Sequence, residues 1–67
     1  PTVFNSADEA AVELFMQGKI SYLGISDAIA KAMSEIKNIE NPTISDIWET
    51  DKLAREIVYR FEKESLI

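Results

Sequence analysis

The sequence predicts an all-α fold: a small bundle of three main helices plus a short helical turn, with a short extended N-terminal lead-in. Three observations carry this expectation. Apolar residues recur at helical spacing in three separate stretches. Glycine, asparagine and proline stand between those stretches, where helices end. The chain has 67 residues, enough for one domain around one core.

The first element follows Pro1-Thr-Val-Phe-Asn-Ser-Ala-Asp-Glu. Val3 and Phe4 are apolar and β-preferring, which predicts the extended lead-in. Asn5 and Ser6 are both candidate caps, and Ser6-Ala7-Asp8-Glu9 has the pattern of a capping box. Asp8 and Glu9 would also set negative charge against the exposed amides of a first turn. The expected helix covers about residues 6–17, with Ala7, Ala11, Leu14 and Phe15 as its apolar stripe, widened by Ala10 and Val12. Gly18 ends it, because the residue past a last turn often needs a positive φ.

Ile20 and Tyr22 alternate with Lys19 and Ser21, the pattern of a short extended connector with an inward face. A second helix is expected from Leu23 or Ser26 to about Lys37, with Ile25, Ala28, Ile29, Ala32, Met33 and Ile36 at helical spacing. Asp27 and Lys31 form an acid-before-base pair on its opposite face. Asn38, Asn41 and Pro42 break the pattern, and Ile39 is expected to pin the connection. Ser45 is the candidate cap of a single turn holding Ile47 and Trp48, with a break near Thr50 or Asp51. Ile44, Ile47 and Trp48 then make an apolar wedge, with Trp48 in the core rather than at an interface. The last helix, about residues 51–64, carries Leu53, Ala54, Ile57, Val58 and Phe61 as its stripe. Asp51–Arg55, Glu56–Arg60 and Arg60–Glu64 form a ladder of charge pairs around it.

Composition excludes several kinds of function. Seven basic against twelve acidic residues give a net charge of −5. An acidic surface repels phosphate backbones, so no nucleic-acid partner is expected. No apolar run approaches the roughly 18 residues of a membrane span, and no basic leader precedes an apolar stretch. No membrane association is expected, and a cytoplasmic setting is compatible with the lack of cysteine. Histidine is also absent, which removes the commonest general base and the commonest metal ligand. The sequence begins at Pro1 on an apolar segment, and is read as a piece cut from a longer chain.

Among the remaining chemical groups, Asp8 with Glu9, Asp46 with Glu49, and Glu62 with Glu64 are the paired carboxylates. Acid–base or metal chemistry needs carboxylates that converge, whereas neighbours on a helix point apart. They read as caps and solvated faces. Lys19 suits a helix C-terminus better than a phosphate contact, and Met33 belongs to an apolar stripe rather than a cofactor site. No residue is assigned a catalytic, cofactor-binding or metal-ligating role.

Two motifs do carry a family resemblance. The opening stretch, with Asn5, Ala7, Glu9, Ala11, Val12, Phe15, Gly18 and Ile20, resembles the start of the C-terminal helical domain of the 1-deoxy-D-xylulose 5-phosphate reductoisomerase family. Ser6 stands where that family usually has alanine, and Asp8 where it usually has asparagine. The later Ile44-Ser-Asp-Ile-Trp-Glu-Thr-Asp-Lys-Leu-Ala-Arg-Glu56 matches the family's closing pattern of an aspartate followed a few residues on by Ala-Arg-Glu. The resemblance implies residues 1–67 as one helical domain, the C-terminal piece of a larger enzyme of the non-mevalonate route to isoprenoid precursors. That enzyme would form 2-C-methyl-D-erythritol 4-phosphate, using NADPH and a divalent metal (Mg or Mn) bound outside this chain, and act as a homodimer. The implied partner of this domain is the remainder of the reductoisomerase chain. Setting the resemblance aside, an independent helical protein-interaction module is the alternative.

Overall fold

The computed structural model describes residues 2–65, which form three helices: α1 (Thr2–Met16), α2 (Tyr22–Glu35) and α3 (Ile44–Glu64). The predicted all-α bundle is the observed one. Its ends, however, differ from the expectation in ways that matter for the site.

Helix α1 begins at Thr2 rather than near Ser6, so Val3 and Phe4 are helical and not an extended lead-in. Pro1 lies outside the described residues. The cause is visible in the packing. Val3 is half-buried against the core and falls in register with Ala7, Ala10, Ala11 and Leu14, so the helical period runs back past the presumed cap. Burial along that stripe outweighs the modest β preference of Val3 and Phe4. The far end follows the prediction. Gly18 has a φ of 76°. Its amide donates to the carbonyl of Phe15, and the amide of Lys19 donates to that of Leu14, which together make a Schellman cap. A Cβ added to Gly18 would meet nothing within 4 Å, so the cost of a side chain there is conformational alone. Gly18→Ala should therefore destabilise the chain by about 1 kcal/mol. Urea unfolding followed by circular dichroism will measure it, and an unchanged midpoint would contradict this account of the cap.

Helix α2 starts earlier than expected because Ser21 caps it, its hydroxyl accepting from the Gly24 amide at 3.0 Å. Tyr22 is therefore a first-turn residue, largely exposed, rather than the inward side of an extended connector. Its ring meets Phe15 edge-on at 5.8 Å. Helix α3 is one continuous element of 21 residues, so the separate turn predicted around Ile47 and Trp48 is its beginning. The cap is Thr43, not Ser45. Its hydroxyl accepts from the Asp46 amide at 3.0 Å while Asp46 accepts from the Thr43 amide at 2.9 Å. A capping box thus exists in this chain, at the start of α3 rather than of α1. Nothing between Thr43 and Glu64 is glycine or proline, so the helix has no reason to stop near Thr50.

The three helices meet through small side chains. Ala7, Ala10, Ala11, Ala28, Ala32, Ala54 and Val58 are fully excluded from solvent, with Leu14 and Ile57 almost so. Val58 is the largest side chain at full burial. Alanine at a contact lets helix backbones approach closely, but contributes little apolar area. Helix α2 runs back along α1, so that Tyr22 lies at the end of α1 while Met33 and Ile36 share a cleft with Val3 at its beginning. Helix α3 then runs parallel to α1. Ser6 meets Asp51 and Glu9 meets Arg55, at nearly constant offset along the chain.

Trp48 is not in the core. It is 76% exposed, and Ile44 is 79% exposed. The inward series of α3 runs Ile47, Asp51, Ala54, Val58, Phe61, and Trp48 is one residue off it, turned by about 100°. Phe61 and Ile47 are only partly covered.

Candidate functional site

The strongest convergence of polar side chains lies between α1 and α3. Ser6 is 5% exposed and faces α3 from the second turn of α1. Its hydroxyl donates to Oδ1 of Asp51. The same oxygen accepts from Nε of Arg55 at 3.0 Å, one turn further along α3. Nη2 of Arg55 then reaches across to Oε1 of Glu9 on α1 at 2.8 Å. Two residues of each helix are joined in one chain of bonds, partly screened from water.

Each charge here is set by its neighbours. The Ser6 hydroxyl, and then the Arg55 guanidinium, hold the Asp51 carboxyl below the usual carboxylate range despite its partial burial. The carboxylates of Glu9 first and Asp51 second push the Arg55 guanidinium still higher than its ordinary value. Such a set is poor in chemistry. A serine becomes a nucleophile beside a base poised to take its proton near neutral pH, and a carboxylate with a depressed pKa is not poised to do so. Ser6 is also shut away from any substrate. What the arrangement can do is fix α1 against α3 in one register.

The linkage has a definite sign. A carboxyl whose folded pKa is depressed contributes stability above the unfolded value and loses it as pH falls through the folded value. The stabilisation from Asp51 is thus present from about pH 5 upward and fades as the pH drops through the ordinary carboxylate range and below it. With the side chain 43% exposed, solvent screening keeps the contribution to no more than about 1 kcal/mol. Melting the chain and Asp51→Asn across pH 2 to 7 tests this. The gap between them should close in acid, and a gap that widens in acid would contradict the assignment.

The other candidates are dispersed. Asp8 is half-buried on α1, next to Glu9 of the clasp. Asp46 is occupied in the cap of α3, while Glu49 borders a cleft with Lys37 and Lys52. Glu62 and Glu64 lie in the last turns of α3. The amide of Lys19 closes α1, and Met33 is half-exposed on α2. Of the predicted charge pairs, Asp51–Arg55 forms as expected. Lys31 instead pairs with Glu35 at 3.1 Å, and Arg60 reaches across to the same carboxylate at 3.5 Å. Among the described residues no group of three or more acidic side chains is placed to hold a metal ion. The donor set does not fit a metal. The contacts Ser6–Asp51 and Glu9–Arg55 are invisible to local sequence reasoning, although their members sit in the two motifs quoted above.

Fold and clasp together define an all-helical module whose polar convergence fastens its own helices. Comparison with known proteins gives the family. The family model described as the DXP reductoisomerase C-terminal domain matches residues 1–57, and the chain belongs to that family. The 1-deoxy-D-xylulose 5-phosphate reductoisomerase of Halalkalibacterium halodurans is 43% identical over 63 residues, 94% of this chain and 16% of the relative. That of Caldanaerobacter subterraneus subsp. tengcongensis is 48% identical over 58 residues, 87% of this chain and 15% of the relative. That of Bacillus subtilis is 45% identical over 58 residues, again 87% of this chain and 15% of the relative. The chain therefore spans about 15–16% of the length of these curated relatives. No solved structure gives a match.

Both motifs noted in the sequence fall within the matched residues. In the structure they meet, since Ser6 and Glu9 belong to the first, and Asp51 and Arg55 to the second.

Proposed function

We propose that residues 1–67 are the C-terminal domain of a reductoisomerase that converts 1-deoxy-D-xylulose 5-phosphate to 2-C-methyl-D-erythritol 4-phosphate. In this reading the domain packs against the remainder of the parent chain and carries none of the reacting groups. NADPH and the divalent metal are held by the upstream part of the parent, a cytoplasmic homodimer. The observation that carries the reading is the distribution of apolar surface. The interior is mostly alanine, while Met16, Tyr22, Leu23, Ile44 and Trp48 are each more than 70% exposed. A chain that leaves its largest apolar side chains outside and its smallest inside suits an element that completes its packing on a partner. Membership of the family supports the rest of the same polypeptide as that partner.

Two preparations test this reading: the 67-residue chain, and the full parent that carries it. NADPH oxidation in the presence of 1-deoxy-D-xylulose 5-phosphate and Mg is expected from the full parent and absent from the chain alone. Turnover by the 67-residue chain would overturn the assignment of a packing role. An independent protein-interaction module would use the same exposed residues. Its mark would be a defined complex with a protein other than a reductoisomerase, lost on Trp48→Ala.

A further inference from the structure

We propose that the end of the module where α1 begins, carrying Ile44, Ile47 and Trp48, is the surface covered by the stretch of parent chain that leads into Pro1. The proposal rests on the reading above, in which this chain is the C-terminal domain of a longer polypeptide. It adds which face is covered and by what.

Three clefts converge on the first turn of α1. One, of about 300 Å³, lies between Thr2 and the Ile47, Trp48 and Asp51 side of α3. A second, of about 210 Å³, opens between Thr2, Val3 and the loop residues Ile39 and Pro42. A third, of about 290 Å³, is bounded by Val3, Met33 and Ile36. Their walls are more apolar than polar, although Lys37 and Asn38 also line them, and Trp48 and Ile44 stand exposed in the first turns of α3. The carboxylate at their edge is already answered, since Asp51 is bonded to Ser6 and Arg55. Covering this end would therefore not strand the Asp51 charge, which is the usual obstacle to burying such a surface.

The occupant follows from covalent geometry. The curated relatives are about six times as long as the matched segment, whose family description places it at the C-terminal end. The polypeptide leading into Pro1 is therefore delivered to the same end of the bundle as these clefts. A tethered segment experiences a high effective concentration at surfaces close to its attachment and a much lower one at distant surfaces. The competing apolar group, Met16 and Leu23 with Phe15 and Tyr22, sits at the other end of α1, about 20 Å away at 1.5 Å per residue.

Hydroxyl-radical footprinting of the full parent chain, read by mass spectrometry, separates the two surfaces. Trp48, Met16 and Leu23 are equally open in this module, at 76%, 77% and 76% exposure, so each is the control for the others. After correction for intrinsic reactivity, Trp48 should be oxidised several-fold more slowly than Met16 and Leu23. Equal reactivity at all three, or protection of Met16 and Leu23 in place of Trp48, would overturn the proposal. Turnover of 1-deoxy-D-xylulose 5-phosphate by the same preparation is scored separately. A parent without activity defeats the functional reading and leaves the footprint interpretable, whereas an active parent with Trp48 open defeats the choice of face alone.

Discussion

Ile57→Ala should cost this chain about 2–5 kcal/mol of stability. Ile57 is 2% exposed and is one of the few sizeable side chains inside the bundle, where it packs among Ala7, Ala10, Ala11 and their neighbours. Removing its outer carbons loses their transfer free energy and leaves a cavity that short side chains nearby cannot fill. A domain of this length has on the order of 3–10 kcal/mol in total, so the variant should lose a large share of its stability. Urea titration followed by circular dichroism is the measurement, with Ile57→Val as the graded control at about 0.5–1.5 kcal/mol. An Ile57→Ala loss below about 1 kcal/mol would mean that the interior collapses around the gap, contrary to the close packing described.

Ala32→Leu should be damaging for the opposite reason. Ala32 is fully excluded from solvent on the face of α2 that meets the rest of the bundle. A leucine there has no space to enter and must push the helices apart, at about 1–3 kcal/mol or more. Ala30→Leu is the matched control, because Ala30 is exposed on the same helix. Its effect should stay within about 0.5 kcal/mol. If the two variants melt alike, the alanine face of α2 is not a close contact.

The helices were legible because helical periodicity is a signal averaged over many residues. Ala7, Ala11 and Leu14, Ala28 and Ala32, and Ala54, Ile57 and Val58 are interior as their spacing predicts. Gly18 was legible because a positive φ at a helix end is a requirement of one residue on itself. The errors fall where a local pattern competes with a distant partner. Ser6-Ala7-Asp8-Glu9 has everything a capping box needs, yet the Ser6 hydroxyl is bonded to Asp51, forty-five residues away in sequence. Extending the series Ala7, Ala11, Leu14 back to Val3 would have revealed the longer helix. Trp48 fails differently. A tryptophan beside two isoleucines looks like core, but register decides, and Trp48 sits beside the inward series rather than on it. The clasp was half legible, since Asp51–Arg55 is a local pair. Glu9 and Ser6 join it only through the tertiary fold.

The parallel course of α1 and α3 sets the first and last described residues at opposite ends of the bundle. Helix α3 is 21 residues long, about 32 Å at 1.5 Å per residue, so Ser65 lies at the far end of the bundle from Thr2. Joining those ends directly would take roughly ten extended residues, which makes a circular permutant with a short linker a poor design. The same separation is useful for labelling. A fluorophore placed at Lys63, exposed in the last turn of α3, would sit well away from the face carrying Trp48, and would report the module's orientation without disturbing that contact.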